Sequence, residues 1–260
     1  MLAVHAVVKN LLIRELEYFF GAVRFFTRLP VPGWVGHSAE MLNHSARYFT
    51  LVGLIVGLIG ALVFALTSFF FPKTLAVLLA MAATILVTGA FHEDGWADMV
   101  DGFGGGWTRE RTLEIMKDSR IGSYGAIALV LLLLAKFMAL VELDMLLVAP
   151  ALIAGHALSR LCATSVMHFL DYARDEGKAK PLATRISLGE LAVAGFFGLI
   201  ALVLLPPLSV ITGVLLAAAA TAWLTRKFKH RLGGYTGDCL GATQQLAEVA
   251  FYLGLLCRFS

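Results

Sequence analysis

The residues of this chain best suited to chemistry are the carboxylates of a short acidic segment, Phe91–Gly102, which follows a long apolar run. Asp94, Asp98 and Asp101 are spaced i, i+4 and i+7, so on a helix they share one face. Carboxylates that share a face repel each other unless a cation joins them, and oxygen ligands suit Mg²⁺ held jointly with substrate phosphates. Together with Glu93 they form a predicted Mg²⁺ site, and the segment indicates metal-assisted phosphoryl transfer at a membrane surface.

Glycines and basic residues follow the acidic segment and offer groups that bind a diphosphate. Gly104 and Gly105 permit a close approach of a ligand to the backbone. Lys117 and Arg120 carry positive charge, and an arginine can bind a phosphate group through two parallel hydrogen bonds. Asp118 is either a further metal ligand or the residue that orients one of these cations. We therefore assign the two glycines and the two cations to substrate binding.

Arg160 and Arg174 are two further candidates for binding an anionic substrate. Arg160 lies within an apolar segment, where a charged side chain is costly and usually faces the bundle interior with a partner. Its guanidinium group either pairs with Asp98 or Asp118, reaches the membrane surface at the end of the extended side chain, or contacts the substrate. Arg174 lies in the polar loop that follows, where it is placed to contact an anionic ligand.

A second polar motif, Gly233–Gln245, enters the last apolar segment. Asp238 is placed to cap this helix at its N-terminus, or to act as a site residue, and Tyr235 belongs to the same motif. Gln244 and Gln245 either form hydrogen bonds between helices or face the substrate. We assign Tyr235 and the two glutamines to substrate binding and Asp238 to catalysis.

The elements that must position these groups are membrane helices. The chain has 260 residues, of which 59% are hydrophobic and 15% are charged, whereas soluble domains carry about 25% charged residues. Its three cysteines follow no pairing or zinc-binding pattern, and no nucleic-acid-binding motif is present. We therefore predict an all-α, polytopic membrane bundle that forms a single integral-membrane transferase domain over residues 1–260.

Seven apolar segments approach the roughly 20 residues that a bilayer-spanning helix needs. They are approximately residues 48–71, 74–92, 122–143, 145–169, 188–205, 208–225 and 240–257. Leu11–Phe26 mixes charged and aromatic residues and predicts an N-terminal interfacial or re-entrant helix. The lysines and arginines outside the spans lie almost entirely on one side, leaving only Lys73 and Arg258 opposite. The positive-inside rule places this basic, polar side in the cytoplasm.

Three long motifs resemble those of the cobalamin synthase family, the adenosylcobinamide-GDP ribazoletransferases. They are His92–Gly102, Glu114–Gly122 and Gly233–Gln245, and the similarity includes Arg24–Pro32 and essentially the whole chain. The resemblance implies transfer of the adenosylcobinamide-phosphoryl group of adenosylcobinamide-GDP to α-ribazole or α-ribazole 5′-phosphate, with release of GMP. It also implies dependence on Mg²⁺ and a place in the cytoplasmic (inner) membrane of a bacterium.

The residue pattern and the resemblance agree on a mechanism. One or two Mg²⁺ ions are expected on the diphosphate, held by Glu93, Asp94, Asp98 and Asp101. The candidate catalytic carboxylates are Asp98, Asp101, Asp118 and Asp238, and the last three remain alternatives as acceptor of the ribazole hydroxyl proton. The expected partners are the two substrates and the lipid bilayer, without nucleic acid. A homo-oligomer is compatible with the sequence.

Two other functions fit parts of the pattern. The acidic motif also resembles, distantly, the signature of the CDP-alcohol phosphotransferases of phospholipid synthesis, but the arginine expected near that signature is absent. A cation transporter would use Asp94, Asp98 and Asp101 as its pathway. It would also need acidic residues deep in several spans, where only Glu248 is so placed.

Overall fold

The protein is a bundle of α-helices. The structure, a computed structural model, describes residues 2–36, 38–173 and 185–257. The helices are α1 (Leu2–Phe26), α2 (Ala39–Ser45), α3 (Phe49–Thr67), α4 (Lys73–Thr88), α5 (Phe91–Gly105), α6 (Arg109–Ile115), α7 (Ser123–Glu142), α8 (Met145–Phe169), α9 (Leu188–Ile200), α10 (Pro207–Leu232) and α11 (Gly237–Leu255). Extended pairing in these ranges is limited to an isolated bridge between Tyr172 and Tyr235. The predicted all-α class is confirmed.

The helices are those of a multi-pass membrane protein. In the described ranges, α3, α7, α8 and α10 are long and apolar enough to cross a membrane, and α4 with α5 forms a pair bent by 86°. Each of the seven predicted segments contains a helix. By length and composition, four described helices could each cross a membrane, and the number rises to five if the bent pair is one span. Large apolar side chains such as Leu58, Ile127 and Leu215 are exposed on the outside of the bundle, as lipid contact requires.

The bend between α4 and α5 is built by two consecutive residues in the left-handed region. Gly89 has φ 66° and Ala90 has φ 58°, a conformation that is rare for residues with a side chain. The Ala90 N–H donates to the Ile85 carbonyl at 3.0 Å and closes the end of α4. We expected one continuous segment through His92, but the chain turns here, so the acidic segment forms a helix of its own.

The core of the bundle lies around α8, which packs against α3, α9 and α11. Glycines allow α3 to approach closely: a Cβ at Gly57 would lie 2.7 Å from the Ile153 Cα, and one at Gly53 would overlap the His156 carbonyl. Small residues of this kind are common where membrane helices meet. Buried apolar side chains form two clusters along the bundle, and buried polar side chains of α8 and α11 lie between them.

Two arginines join the polar loops at one end of the bundle. Arg109 Nε donates to the Leu232 carbonyl at 3.0 Å, and Arg231 Nη2 donates to the Gly106 carbonyl at 2.5 Å. These bonds connect the end of α10 with the segment between α5 and α6. The loops predicted to lie on the basic side are therefore neighbours, and they enclose the beginnings and ends of the helices that carry the site.

Candidate functional site

The acidic helix α5 presents two carboxylates along one face. Asp94 is exposed and Asp98 is half-buried, one turn further along the same side. Between them Gly95 packs against the start of α11, because a Cβ there would lie 3.1 Å from the Asp238 carbonyl oxygen. Asp238 belongs to the first turn of α11, which Thr236 caps by accepting a hydrogen bond from the Cys239 N–H at 3.4 Å. The structure thus places Asp94, Asp98 and Asp238 around one helix contact.

Asp101 lies on α5 but is bonded to another helix. One of its carboxylate oxygens accepts a hydrogen bond from the Gly122 N–H at 2.7 Å, and the other accepts one from the Gly125 N–H at 2.8 Å. Gly122 is the cap of α7, so the carboxylate satisfies N–H groups that the first helical turn leaves without partners. Asp101 therefore fixes the start of α7 against α5.

Glu93 faces the interior of the bundle and not the face of Asp94. Its side chain is buried, and its Oε1 accepts a hydrogen bond from Gln245 Nε2 at 2.8 Å. Gln245 Oε1 in turn accepts one from Lys136 Nζ at 2.9 Å. Gln245 thereby connects α5, α11 and α7 through a single amide group.

Glu248 stands at the centre of this interior network. Its Oε1 lies 3.3 Å from Lys136 Nζ, and its Oε2 accepts a hydrogen bond from Gln244 Nε2 at 2.6 Å. This ion pair joins α7 to α11. The interior network comprises Glu93, Lys136, His156, Ser159, Arg160, Gln244, Gln245, Glu248 and Tyr252. Gln244 and Gln245 therefore form the hydrogen bonds between helices that the sequence offered as one alternative.

Arg160 is enclosed in the protein, and the expectation that it extends to the surface is wrong. The residue is 2% exposed, and Nη1 donates to the His156 carbonyl at 2.9 Å. Its Nε is buried without a hydrogen-bond partner. Pairing with Asp118 is also wrong, because that carboxylate is engaged elsewhere.

Asp118 forms an exposed ion pair with Arg120 beside the start of α7. Arg120 Nη2 lies 2.6 Å from Asp118 Oδ2, and the hydrogen bonds from Arg120 lower the pKa of Asp118 to about 2. Asp118 thus orients a cation, one of the two roles that the sequence left open. Both residues line an open surface groove that also includes Asp101, Arg111 and Tyr124, and Lys117 is exposed nearby.

The two glycines assigned to substrate binding lie in the last turn of α5. A Cβ at Gly104 would be 2.7 Å from the Tyr124 ring, and one at Gly105 would be 3.3 Å from Ile115 Cδ1. Contacts within the chain thus account for Gly104, where any side chain would displace Tyr124. Both residues are exposed on their remaining sides.

Tyr235 and Arg174 complete the predicted set. Tyr235 is fully buried, and its N–H donates to the Asp171 carbonyl at 3.0 Å. Burial raises the pKa of its hydroxyl. Arg174 lies outside the described residues.

The described residues could hold Mg²⁺ through only a few protein ligands, and the substrate would have to supply the remaining ligands. Among the described residues, no three His, Cys, Asp or Glu side chains are grouped so that they could hold a metal ion. The four predicted ligands are therefore not brought together, because Glu93 faces inward and Asp101 binds α7. Asp94 and Asp98 remain on one face, and Mg²⁺ is commonly held by one or two carboxylates together with substrate phosphates.

Sequence reasoning missed a cavity at this end of the bundle. We call it the aromatic cavity; it is lined by Phe25, Phe26, Phe49, Phe91, His92, Arg160, Ala163, Thr164, Met167, Tyr172, Tyr235, Gly237, Leu240 and Gly241. Its residues come from α1, α3, α5, α8, α11 and two loops. No local pattern marks the set, because its members come together from separate segments of the chain.

Comparison with known proteins assigns this membrane bundle with an acidic helix to a family. The family described as CobS, cobalamin-5-phosphate synthase, matches residues 18–256, so the chain belongs to it. A protein of Shewanella frigidimarina named adenosylcobinamide-GDP ribazoletransferase is 48% identical over 94% of this chain and 95% of its own length. A protein of Shewanella amazonensis with the same name is 51% identical over 95% of this chain and 97% of its own. No solved structure matches the protein.

Proposed function

We propose that this chain is an adenosylcobinamide-GDP ribazoletransferase that performs the final assembly step of cobalamin synthesis. The carrying observation is the family match over residues 18–256, supported by relatives of that name that align with nearly the whole chain. The hydroxyl of α-ribazole, or of its 5′-phosphate, attacks the phosphorus that carries the cobinamide. The bond from that phosphorus to the GMP oxygen breaks, and the hydroxyl proton passes to a base.

The negative charge of the diphosphate must be neutralised. We assign this role to the exposed face of α5. Mg²⁺ held there by Asp94 and Asp98 would stabilise negative charge on the transferred and leaving phosphates. Arg120 and Lys117, at the end of the groove beside α7, would bind the outer phosphate oxygens. Asp118 keeps Arg120 oriented through its ion pair.

Asp238 is the carboxylate best placed to accept the proton. Asp101 has both oxygens bonded to the backbone of α7. Asp118 is a weak base, because its pKa is about 2. Asp238 lies in the first turn of α11, next to Gly237 of the aromatic cavity and against Gly95 of the acidic helix. The active site then opens at the end of the bundle with the basic loops, which we place on the cytoplasmic face of the inner membrane.

The experiment is product formation by the purified protein in liposomes, followed by mass spectrometry of the corrinoid and of GMP. Adenosylcobinamide-GDP and α-ribazole phosphate are supplied with Mg²⁺ or with a chelator. We expect equimolar corrinoid product and GMP with the metal, and neither with the chelator. The matched variants are Asp94→Asn, which should lose turnover, and Glu142→Gln, an exposed residue at the end of α7, which should keep it.

Two outcomes would contradict the proposal. Absence of product from folded protein with Mg²⁺ would refute the transferase, and CDP-diacylglycerol would then be the next donor to test. Full turnover in the presence of chelator would instead leave the transferase standing and remove the metal from it.

A further inference from the structure

The exposed face of α10 changes from apolar to basic along its length. Leu216, Trp223 and His230 are exposed and recur every seven residues, almost two helical turns, so they lie along one side of the helix. Arg226 and Lys227 are exposed between Trp223 and His230. At 1.5 Å per residue, Arg226 lies about 29 Å from the first residue of α10, close to the roughly 30 Å thickness of the hydrocarbon core. These cations therefore lie where a span that begins with α10 reaches the lipid headgroups.

An open groove of about 310 Å³ runs beside these cations, and we call it the basic groove. It is lined by Phe103, Trp223, Arg226, Lys227, His230 and Arg231. Lys227 Nζ lies 4.2 Å from the centre of the Trp223 ring. Phe103 belongs to α5, so a ligand in this groove would contact the end of the acidic helix. None of its described lining residues belongs to the aromatic cavity or to the groove that holds Asp118 and Arg120.

The cations of the basic groove attract an anion that the protein does not supply. In the part of the chain that the structure describes, none of Arg226, Lys227 and His230 forms an ion pair with a carboxylate. Arg231 donates a hydrogen bond to the Gly106 carbonyl, which holds the guanidinium at the groove and leaves its charge in place. Basic pockets at the ends of membrane helices bind the headgroups of anionic lipids.

A second groove, between the ends of α8 and α10, has room for an acyl chain, and we call it the chain groove. Its volume is about 420 Å³, and its apolar lining includes Leu161, Phe169, Ala218 and Ala222. It exists because α10 packs chiefly against α11 and only loosely against α8. Arg226 lines both grooves, so the two meet at this side chain.

The hydroxyl groups in the chain groove do not call for a polar ligand. Ser165, Thr221 and Thr225 line it, and each hydroxyl donates to a carbonyl three or four residues earlier on its own helix, at 2.7–2.8 Å. Such bonds satisfy the donors locally. The surface that remains suits a hydrocarbon chain, which restores the contacts that an empty groove lacks.

We propose that α10 holds an anionic phospholipid, with the lipid phosphate on Arg226 and Lys227 in the basic groove and one acyl chain in the chain groove. The order of the grooves along α10 matches that of the lipid, since the chain groove lies on the membrane-spanning part and the basic groove at its end. A soluble phosphate compound would use the cations and leave the chain groove empty. The proposal does not depend on the reaction that the protein catalyses.

Native mass spectrometry of the full-length protein in neutral detergent measures the binding of single lipids, without an anionic surface that would attract every basic residue alike. Dioleoylphosphatidylglycerol and dioleoylphosphatidylcholine carry the same acyl chains, but only the first has a net negative charge. The wild-type protein should bind the first at least about fivefold more tightly. Arg226→Gln should remove most of that preference.

Lys229→Gln is the matched control, because it removes the same charge from an exposed residue of α10 that lines neither groove. Its preference for phosphatidylglycerol should stay within about twofold of the wild-type value. An equal loss in Arg226→Gln and Lys229→Gln would show that the preference comes from the general positive charge of this end of the bundle, and it would overturn the proposal.

Two neighbouring alanines test the chain groove. Ala218 and Ala219 are both exposed, but only Ala218 lines the groove. Ala218→Phe should fill it and weaken the binding of phosphatidylglycerol by at least about fivefold, whereas Ala219→Phe should stay within about twofold of wild type. Equal binding by the two variants would overturn the place assigned to the acyl chain.

A competition separates a lipid from a soluble phosphate compound as occupant of the basic groove. Inorganic pyrophosphate should leave bound phosphatidylglycerol in place, as should sulfate at the same ionic strength. Release of the lipid by pyrophosphate and not by sulfate would show that a soluble diphosphate takes the groove, and it would overturn the choice of a lipid.

Discussion

Lys136 and Glu248 form an ion pair inside the bundle, with Lys136 Nζ 3.3 Å from Glu248 Oε1. Both side chains are almost wholly buried. Glu248 also accepts hydrogen bonds from Gln244 and from the Tyr252 hydroxyl, so its charge is compensated from α7 and from its own helix, α11. A charge in a membrane protein interior is tolerated only with such partners.

Removing the charge of Glu248 should therefore destabilise the protein strongly. Glu248→Gln leaves Lys136 buried without a counter-charge, and breaking a buried pair costs about 3–5 kcal/mol. The double variant Lys136→Met/Glu248→Gln should recover much of that loss. The free energy of unfolding in mixed detergent micelles measures both effects.

The matched control is the exposed pair Arg111–Glu114, whose atoms lie 2.7 Å apart. Glu114→Gln should change the free energy of unfolding by less than about 1 kcal/mol, because water screens exposed pairs. A loss in Glu248→Gln no larger than in this control would show that the interior network does not stabilise the bundle.

Asp98 and Asp101 should respond to substitution in opposite ways. Asp101→Ala removes two hydrogen bonds to the start of α7, each worth about 1.5–3 kcal/mol where the acceptor is charged. Its free energy of unfolding should fall accordingly. Asp98→Asn should lower kcat by at least about a hundredfold, with a smaller loss of stability than Asp101→Ala.

Turnover in liposomes and unfolding in micelles, measured on the same preparations, separate the two roles. A stable Asp101→Ala protein would contradict the capping role. An Asp98→Asn protein with near-normal kcat would refute the assignment of Asp98 to the reaction.

Features set by local spacing were predictable from the sequence. The i, i+4 placement of Asp94 and Asp98 needs only that their segment be helical, and α5 is helical. The one-sided distribution of basic residues likewise predicted which loops would be neighbours, as the bonds of Arg109 and Arg231 show.

Features that depend on distant partners could not be predicted. The carboxylate of Asp101 looks like its neighbours in the sequence, but its partners lie on another helix, so only the fold reveals the capping role. The left-handed φ of Ala90 has no sequence signal, since alanine favours helix continuation. Glu93 and Asp94 are consecutive on α5 and therefore point in different directions, Glu93 into the interior and Asp94 outward. The aromatic cavity was missed because its residues come together only when five helices and two loops pack.

The ion pair of Asp118 and Arg120 gives a prediction for pH dependence. The pKa of Asp118 is lowered from 3.8 to about 2, chiefly by hydrogen bonds from Arg120. A lowered carboxyl pKa stabilises the folded protein above the unfolded value, near pH 4, and that contribution disappears as the pH falls toward 2. Arg120→Gln should raise the pKa of Asp118 toward its usual value, as followed by carbon NMR of labelled aspartate.

Salt should act in the same direction as Arg120→Gln, though more weakly, because the pair is exposed. Glu110→Gln, at a nearby exposed position in α6, is the control and should leave the titration of Asp118 in place. A pKa of Asp118 that is identical in wild type and Arg120→Gln would show that the pair does not persist in solution.

The corner between α4 and α5 should respond oppositely to two small substitutions. Gly89→Ala adds a Cβ at φ 66° that would lie 2.6 Å from Arg28 Nε, so the free energy of unfolding should fall by about 1–3 kcal/mol. Ala90→Gly relieves a left-handed alanine, so stability should be retained or rise by up to about 1 kcal/mol. Because the corner aims α5, Gly89→Ala should also reduce turnover, whereas Ala90→Gly should not. Equal destabilisation by both substitutions would mean that the left-handed turn does not set the direction of the acidic helix.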